Sequence, residues 1–267
     1  MRRFVTGTTR SKLTQAGAAK IPIPLPPLPE QLRIAAILDQ ADALRAKRRE
    51  SIERLDLVDQ SSISQMISTN RRCRSVALSE VSSLKRGPFG GALRKDIFVE
   101  RGFMVYEQRN AIYQDFAVGR YFITPEKFKE MSGFAIATND LIMSCSGTIG
   151  KSAIVPSEFT PGIINQALLR IRADESKVLP AYLKSILDTP QVRRQLHGFV
   201  HGTGLQNFPP MSEVKNIEIP LLPLSDQKLF VEIMGNTQEF RSLQLSSAES
   251  LDRLFASLQH RAFQGEL

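Results

Sequence analysis

An eleven-residue stretch occurs twice in this chain, and the repeat constrains the architecture more than any other feature. Ile21–Gln31 reads IPIPLPPLPEQ and Ile217–Gln227 reads IEIPLLPLSDQ; aligned without gaps, the two share seven of eleven residues. A Gly/Thr-rich turn leads into each copy, Gly7-Thr8-Thr9 and Gly202-Thr203-Gly204, and about forty residues of helical periodicity follow each. The repeat therefore divides the chain into helix, intervening domain, helix. Prolines lack a backbone donor and fix φ, so Pro22, Pro24, Pro26, Pro27 and Pro29 exclude a helix and favour a stiff extended connector. Leu28 and Leu224 then open the helices, with Glu30 and Asp226 in the first turn, where the helix dipole favours negative charge. A proline-rich ligand for a partner's groove would not need the same helix behind both copies, so the stretch reads as a rigid joint.

The first helix is predicted over Leu28–Thr69, with apolar residues Leu28, Leu32, Ala35, Leu38, Ala41 and Leu44, then Ile52, Leu55, Val58, Ile63 and Met66 at three- and four-residue steps and no Gly or Pro after Pro29. A rod of that length, roughly 60 Å at about 1.5 Å per residue, needs a partner along its side. The cluster Arg45-Ala46-Lys47-Arg48-Arg49 interrupts the stripe and reads as a solvated face balanced by Glu50, Glu53 and Asp56, or else as a phosphate or partner contact. The second helix is predicted over Leu224–Phe263, with Phe230, Ile233, Phe240, Leu243, Leu251, Leu254 and Leu258 on one face in a near-heptad rhythm and a weak point at Gly235-Asn236. The expected fold class is α+β: one mixed domain flanked by two long α-helices that pair as an antiparallel coiled coil. The boundaries are a basic tail and joint at 1–27, helix at 28–73, domain at 74–223 and helix at 224–267. Residues 1–20 carry Arg2, Arg3, Arg10, Lys12 and Lys20 without an acid, and read either as the tail of a further domain or as a basic arm.

Within the domain, Val76–Val81 reads as a strand or short helical turn, and Phe103–Tyr106, Leu141–Ser144, Ala153–Val155 and Ala167–Ile171 as strands. Pro180–Leu187 and Pro190–Leu196 read as helices, while Gly87–Gly91 and Ser144–Lys151 are turns. Ile149 and Phe89 are expected to be packing residues.

Composition narrows the function. The chain is 42% hydrophobic and 23% charged, ordinary for a globular protein. Its net charge of +8 suits a polyanionic partner. Cys73 and Cys145 are isolated, which gives neither a disulfide framework nor a zinc site and fits a reducing cytoplasm. No apolar run approaches the ~20 residues that span a bilayer, and the N-terminus lacks the apolar core of a signal peptide.

Enzyme motifs are absent. Ser146–Ser152 superficially resembles a phosphate-binding loop, but only Gly147 and Gly150 precede Lys151 and the spacing is wrong. Asn207-Phe208-Pro209-Pro210 has the letters of an amino-methyltransferase motif in the wrong order, without a Gly-rich cofactor loop. His197, His201 and His260 have no carboxylate at metal-ligand spacing, and there is no GxSxG elbow. The chain reads as a binder.

Several motifs together resemble the DNA specificity subunits of type I restriction-modification systems. The two joints with their helices resemble that family's conserved regions. GPFGGAL (87–93) resembles its Gly-x-Phe-Gly loop, and Asn139-Asp140-Leu141-Ile142 with SCSGTIGKSAIV (144–155) resembles its strand–turn–strand segment. Asn165-Gln166 and GTGLQNFP (202–209) also match. The resemblance covers nearly the whole chain, but a full subunit of the family has two target-recognition domains and this chain has one.

The resemblance implies a non-catalytic subunit that reads double-stranded DNA and directs adenine methylation and restriction by a modification (methyltransferase) subunit and a restriction subunit. S-adenosylmethionine, ATP and Mg are then expected only in those partners. It also implies bacterial or archaeal defence, no membrane partner, and a homodimer through the long helices as one way to recover two-site reading. The DNA contacts it suggests are Lys85, Arg86, Arg94 and Lys95 around the Gly-Pro-Phe-Gly loop, Gln108, Arg109 and Asn110 after the next strand, and Lys151 after the Gly-Thr-Ile-Gly turn. A different class remains open: an interaction scaffold that binds the modification subunit or homodimerises without productive DNA reading. Salt-sensitive, sequence-selective DNA affinity separates the two.

Overall fold

The computed structural model describes residues 5–6, 12–13, 15–19, 21, 25–197 and 208–267. The two Gly/Thr-rich turns before the joints and most of the 202–209 motif lie outside these. The chain forms two compact units, residues 58–236 and a helical unit made of residues 1–57 with 237–267.

In the helical unit, β1 (Val5–Thr6) pairs antiparallel with β2 (Lys12–Leu13), followed by the short α1 (Gln15–Ala18). The unit is otherwise the outer lengths of two helices, α2 (Leu28–Thr69) and α9 (Leu224–Gln264), within two residues of their expected bounds. They pair antiparallel: Arg33 donates to the Leu267 carbonyl, Arg45 Nε to Asp252 at 2.6 Å, and Arg48 to Gln244, the partner numbers falling as the donors rise. Among the half-buried residues of α2 are Ile34, Leu38, Ala41, Arg45, Arg48, Ile52 and Leu55; among those of α9 are Thr237, Arg241, Ala248, Leu251, Phe255, Leu258 and Ala262, with Gln244 buried between them in sequence. The four–three alternation is that of a heptad seam.

Two expectations are corrected here. Arg45 and Arg48 are not on a solvated face; they occupy seam positions. The Arg45 side chain is only 18% exposed, its guanidinium lies 4.2 Å from the Phe255 ring centre, and its charge is met by Asp42 and Asp252. Arginine tolerates this because its stem is apolar and its planar head stacks on rings. Conversely, Phe240, Leu243 and Leu254 are exposed, since the polar Arg241 and Gln244 take the seam positions beside them. Helical hydrogen bonding runs through Gly235-Asn236 without a break.

The α/β unit takes in the inner ends of both helices. β3 (Arg74–Ala77) pairs antiparallel with β11 (Glu218–Leu221), Val76 opposite Ile219, so the two ends of the unit lie side by side. α3 (Leu78–Val81) follows β3, resolving the strand-or-helix ambiguity as one after the other. A four-stranded antiparallel sheet has the order β4 (Ser82–Arg86), β10 (Leu168–Ala173), β7 (Leu141–Ser144), β8 (Ser152–Ile154). A three-stranded sheet has β5 (Phe103–Tyr106) between β6 (Phe122–Ile123), antiparallel, and β9 (Gly162–Ile164), parallel. Helices α4 (Gln108–Tyr113), α5 (Pro125–Glu130), α6 (Pro180–Leu187), α7 (Pro190–His197) and α8 (Met211–Lys215) complete the unit.

Period-two alternation gives the larger sheet two buried faces. Leu141, Met143, Leu169 and Ile171 share one core with α6, α7 and the inner helix ends, through Tyr182, Leu183, Val192, Ile63 and Phe230. Ile142, Ala153 and Leu168 share the other with Met104, Tyr106 and Ile164 of the three-stranded sheet. The remaining face of that sheet packs through Val105, Ile123 and Ile163 against Leu93, Ile97, Phe98 and Phe128. This packing holds the turns at the ends of β4, β7 and β10 in place. Among the described residues, no helix is long and apolar enough to cross a membrane.

Candidate nucleic-acid interface

β4 ends at Arg86 and leads into Gly87-Pro88-Phe89-Gly90. The first glycine is required: a Cβ at Gly87 would lie 1.8 Å from the Asn165 carbonyl oxygen. Its N–H donates to Leu168 O at 2.9 Å, which fixes the loop against the 165–167 turn. That turn is closed in turn by Asn165, whose Oδ1 accepts the Ala167 N–H at 3.0 Å. The Ser144–Lys151 turn is tied by Ser144, whose backbone N–H donates to Lys151 O at 2.8 Å and whose Oγ accepts the Lys151 N–H at 3.1 Å. Gly147 and Gly150 have φ of +60° and +79° there, the left-handed region glycine enters freely.

These loops converge on an open groove of about 590 Å³ lined by Arg86, Phe89, Cys145, Ser146, Gln166, Phe208 and Pro209, among others. The Arg86 guanidinium lies 4.9 Å from the Phe208 ring centre and 5.5 Å from that of Phe89, and its Nε donates to Gln166 O at 3.3 Å. Among the described residues, no carboxylate and no histidine lines the groove. Burial, partly offset by the Arg86 charge, pushes the Cys145 thiol up to about 12, so it stays protonated at neutral pH. The groove offers cationic and neutral hydrogen-bonding groups between aromatic rings, which suits anions and polar planar edges.

The eight residues expected to touch DNA are not all brought together. Arg86 lines the groove. Gln108, half-buried at the start of α4, packs beside Gly147: a Cβ there would lie 3.5 Å from the Gln108 Oε1. Lys151 closes the same turn and is exposed. Lys85 is exposed on the other face of β4, its Nζ 4.9 Å from the Phe134 ring centre. Arg109 is exposed and lies 4.0 Å from Asp115, whose pKa is lowered mainly by the Val118 and Ala117 N–H groups and in smaller part by Arg109. Arg94 pairs with Asp96 at 3.3 Å, and exposed Lys95 follows it on a loop that packs through Leu93 and Ile97 against the three-stranded sheet.

Asn110 does not belong to the surface. It is 1% exposed; its Oδ1 accepts the Glu107 N–H at 2.8 Å and its Nδ2 donates to Asp115 O at 2.7 Å, so it caps α4. Phe89, expected in a core, is 70% exposed beside Arg86, whereas Ile149 is buried as expected.

Sequence reasoning missed Arg170. It stands directly opposite Lys85 in the β4–β10 register and donates to the Ala135 carbonyl; burial, and after it the Arg172 charge, lowers its pKa. Like charges in this position normally repel. The nearby Asp140, 1% exposed, is committed to Arg172 by two 2.7 Å hydrogen bonds and also accepts the Ala137 N–H at 2.8 Å. Cross-strand register is the missing signal, and it is not written in either strand alone. Gln166, Ser146 and Phe208 were recognised only as parts of motifs.

Comparison with known proteins shows the family and the fold. Residues 1–54 and 73–245 match the model of the type I restriction modification DNA specificity domain. A Haemophilus influenzae protein named for a type I restriction enzyme specificity subunit is 25% identical over 97% of this chain and 66% of its own length. Among solved structures, a chain from a study of complex assembly and conformational transition of the type I R-M system superposes with a TM-score of 0.71 at 20% identity, covering 98% of this chain and 66% of that one. The HsdS subunit of Thermoanaerobacter tengcongensis gives 0.61 at 20% identity, covering 98% and 65%. The chain thus spans about two thirds of the length of the relatives it matches. With the matched residues taking in both joints, the first part of each long helix and the whole domain between them in sequence, the chain belongs to the type I restriction modification DNA specificity domain family.

Proposed function

We propose that this chain is a sequence-reading subunit for double-stranded DNA, and that it directs adenine methylation and restriction carried out by partner modification and restriction subunits. The observation that carries this reading is the groove at the ends of β4, β7 and β10: an arginine oriented by two aromatic rings, amide and hydroxyl side chains beside it, and, among the described residues, no carboxylate in the lining. Lys85 on β4, Arg109 on α4 and Lys151 at the end of its turn supply exposed positive charge for phosphate contacts. In this reading the chain contributes no catalytic group. S-adenosylmethionine, ATP and Mg act in the partner subunits, and the assembly works in the cytoplasm.

The helical unit supports the scaffolding half of the role. Leu44, Phe240, Leu243 and Leu254 are exposed on the helix pair, and Leu44, Lys47, Arg48, Ser51, Ser247 and Leu251 line a second groove. Such a surface suits a partner subunit's helices or a second copy of the chain. Were this its whole function, DNA would bind weakly and without preference.

The test is binding to a randomised duplex library across a salt series. The expected outcome is enrichment of a defined sequence, with affinity falling steeply as salt rises because phosphate contacts release counterions. Uniform weak retention of all duplexes at every salt concentration would refute DNA reading and leave the scaffold.

A further inference from the structure

Resting on that reading, we infer that Arg86 is a specificity-determining residue that reads one guanine through its two terminal guanidinium nitrogens. Three constraints hold it. The Phe208 ring lies at 4.9 Å on one contact and the Phe89 ring at 5.5 Å on another, and the Nε donates to Gln166 O at 3.3 Å. Rings and Nε bond together restrict the plane and direction of the fork. Among the described residues, the terminal nitrogens carry no ion pair, and the groove they share with Ser146 and Gln166 has no acid in its lining.

A bare phosphate contact needs none of this, because a flexible cation serves a phosphate as well from many directions. A guanidinium held in one plane suits a planar target with two acceptors side by side, and guanine presents O6 and N7 in that way in the major groove. The cost of fixing the side chain is met before DNA arrives, so the discrimination is not diluted by ordering it on binding. Phe89, 70% exposed at the rim, adds an apolar surface next to the fork.

The experiment uses the full chain and the randomised duplex library, with Arg86→Ala and Arg86→Lys beside the wild type. Wild type is expected to require guanine at one position. Both variants are expected to lose that requirement and to bind the selected duplex about 10-fold to 100-fold more weakly, with affinity for unrelated duplexes within about twofold. Arg86→Lys keeps the charge and the stem but not the fork, so its loss is not one of net charge or folding. Placing 7-deazaguanine at the same position should weaken wild type and leave both variants unchanged. Equal weakening on every duplex by Arg86→Ala, with rescue by Arg86→Lys, would make Arg86 a phosphate contact and overturn the inference. Sequence selection that survives unaltered in both variants would overturn it while sparing the proposed function. A wild type without any selection would remove the function and this inference together.

Discussion

The two copies of the joint start their helices in the same way and live in opposite surroundings. In the first, the Glu30 and Gln31 N–H groups donate to Pro27 O at 2.9 and 3.1 Å, and Gln31 Nε2 reaches back to Pro26 O at 2.7 Å. In the second, the Asp226 and Gln227 N–H groups donate to Pro223 O at 2.9 and 3.0 Å, and Gln227 Nε2 reaches back to Leu222 O at 2.8 Å. Beyond these bonds the copies diverge. Leu25 is 82% exposed, while its counterpart Leu221 is 4% exposed. Gln227 is fully buried, its Oε1 accepting the Leu179 N–H at 2.8 Å and its Nε2 also donating to Lys177 O at 3.0 Å. The shared letters encode the helix start locally. What the motif does in the fold depends on whether an α/β unit packs on it.

The contrast is broken or sharpened most strongly by the paired leucines. Leu221→Ala is expected to lower the stability of the α/β unit by about 3 kcal/mol, through lost burial and a cavity, and Leu25→Ala to stay within about 0.5 kcal/mol. Urea unfolding midpoints measure both, and equal shifts would mean that the first joint is covered as well.

The glutamines come next. Gln227→Ala leaves a buried N–H and two carbonyls without partners, for about 2 kcal/mol, and should release the Leu179 amide to fast hydrogen exchange. Gln31→Ala loses a single bond, for about 1 kcal/mol or less. Continued protection of Leu179 in Gln227→Ala would show that the bond is not what holds that bend.

The carboxylates give the smallest contrast. Hydrogen bonds lower both pKa values, for Asp226 chiefly from Asn70 and for Glu30 chiefly from Arg33. A lowered carboxylate stabilises above its unfolded value near 4 and loses that contribution as pH falls through the folded value. Asn70 and Arg72 are distant in sequence from Asp226, whereas Arg33 is one turn from Glu30. Asp226→Asn should therefore flatten the fall of the unfolding midpoint of the α/β unit below about pH 5, and Glu30→Gln should leave that curve unchanged. Identical acid limbs in the two variants would show that Asp226 acts only within its own helix turn.

The same division between local and non-local explains what could be read in the chain. Leu28–Thr69, Phe103–Tyr106, Leu141–Ser144 and Pro180–Leu187 were recovered residue for residue, because each carries its own period and its own breakers. The parallel pairing of β5 with β9 left no trace in either segment. Hydrophobicity alone misplaced the helix seam, where Arg45, Arg48 and Gln244 hold positions that leucine would usually take. In the candidate site, the turn at Ser144–Lys151 and the place of Arg86 beside the Gly-Pro-Phe-Gly loop were legible. Asn110 was not separable from a solvent-facing amide until its hydrogen bonds to backbone were placed, and Phe89 looked like core because aromatics usually are. Register and burial are properties of pairs of segments, and a single segment does not carry them.

The β3–β11 ribbon also has a consequence for the order in which the chain folds. It joins Arg74–Ala77 to Glu218–Leu221, so it cannot form until nearly the entire α/β unit has been drawn into a closed loop. Loop closure of that length is an entropic cost that comes before the ribbon's own contacts repay it. The sheets and α6 can collapse first on contacts nearer in sequence, and the ribbon then closes over them. Only at that step do Asn70 and Arg72 come within reach of Asp226. Closing the ribbon therefore also sets the end of α2 beside the first turn of α9.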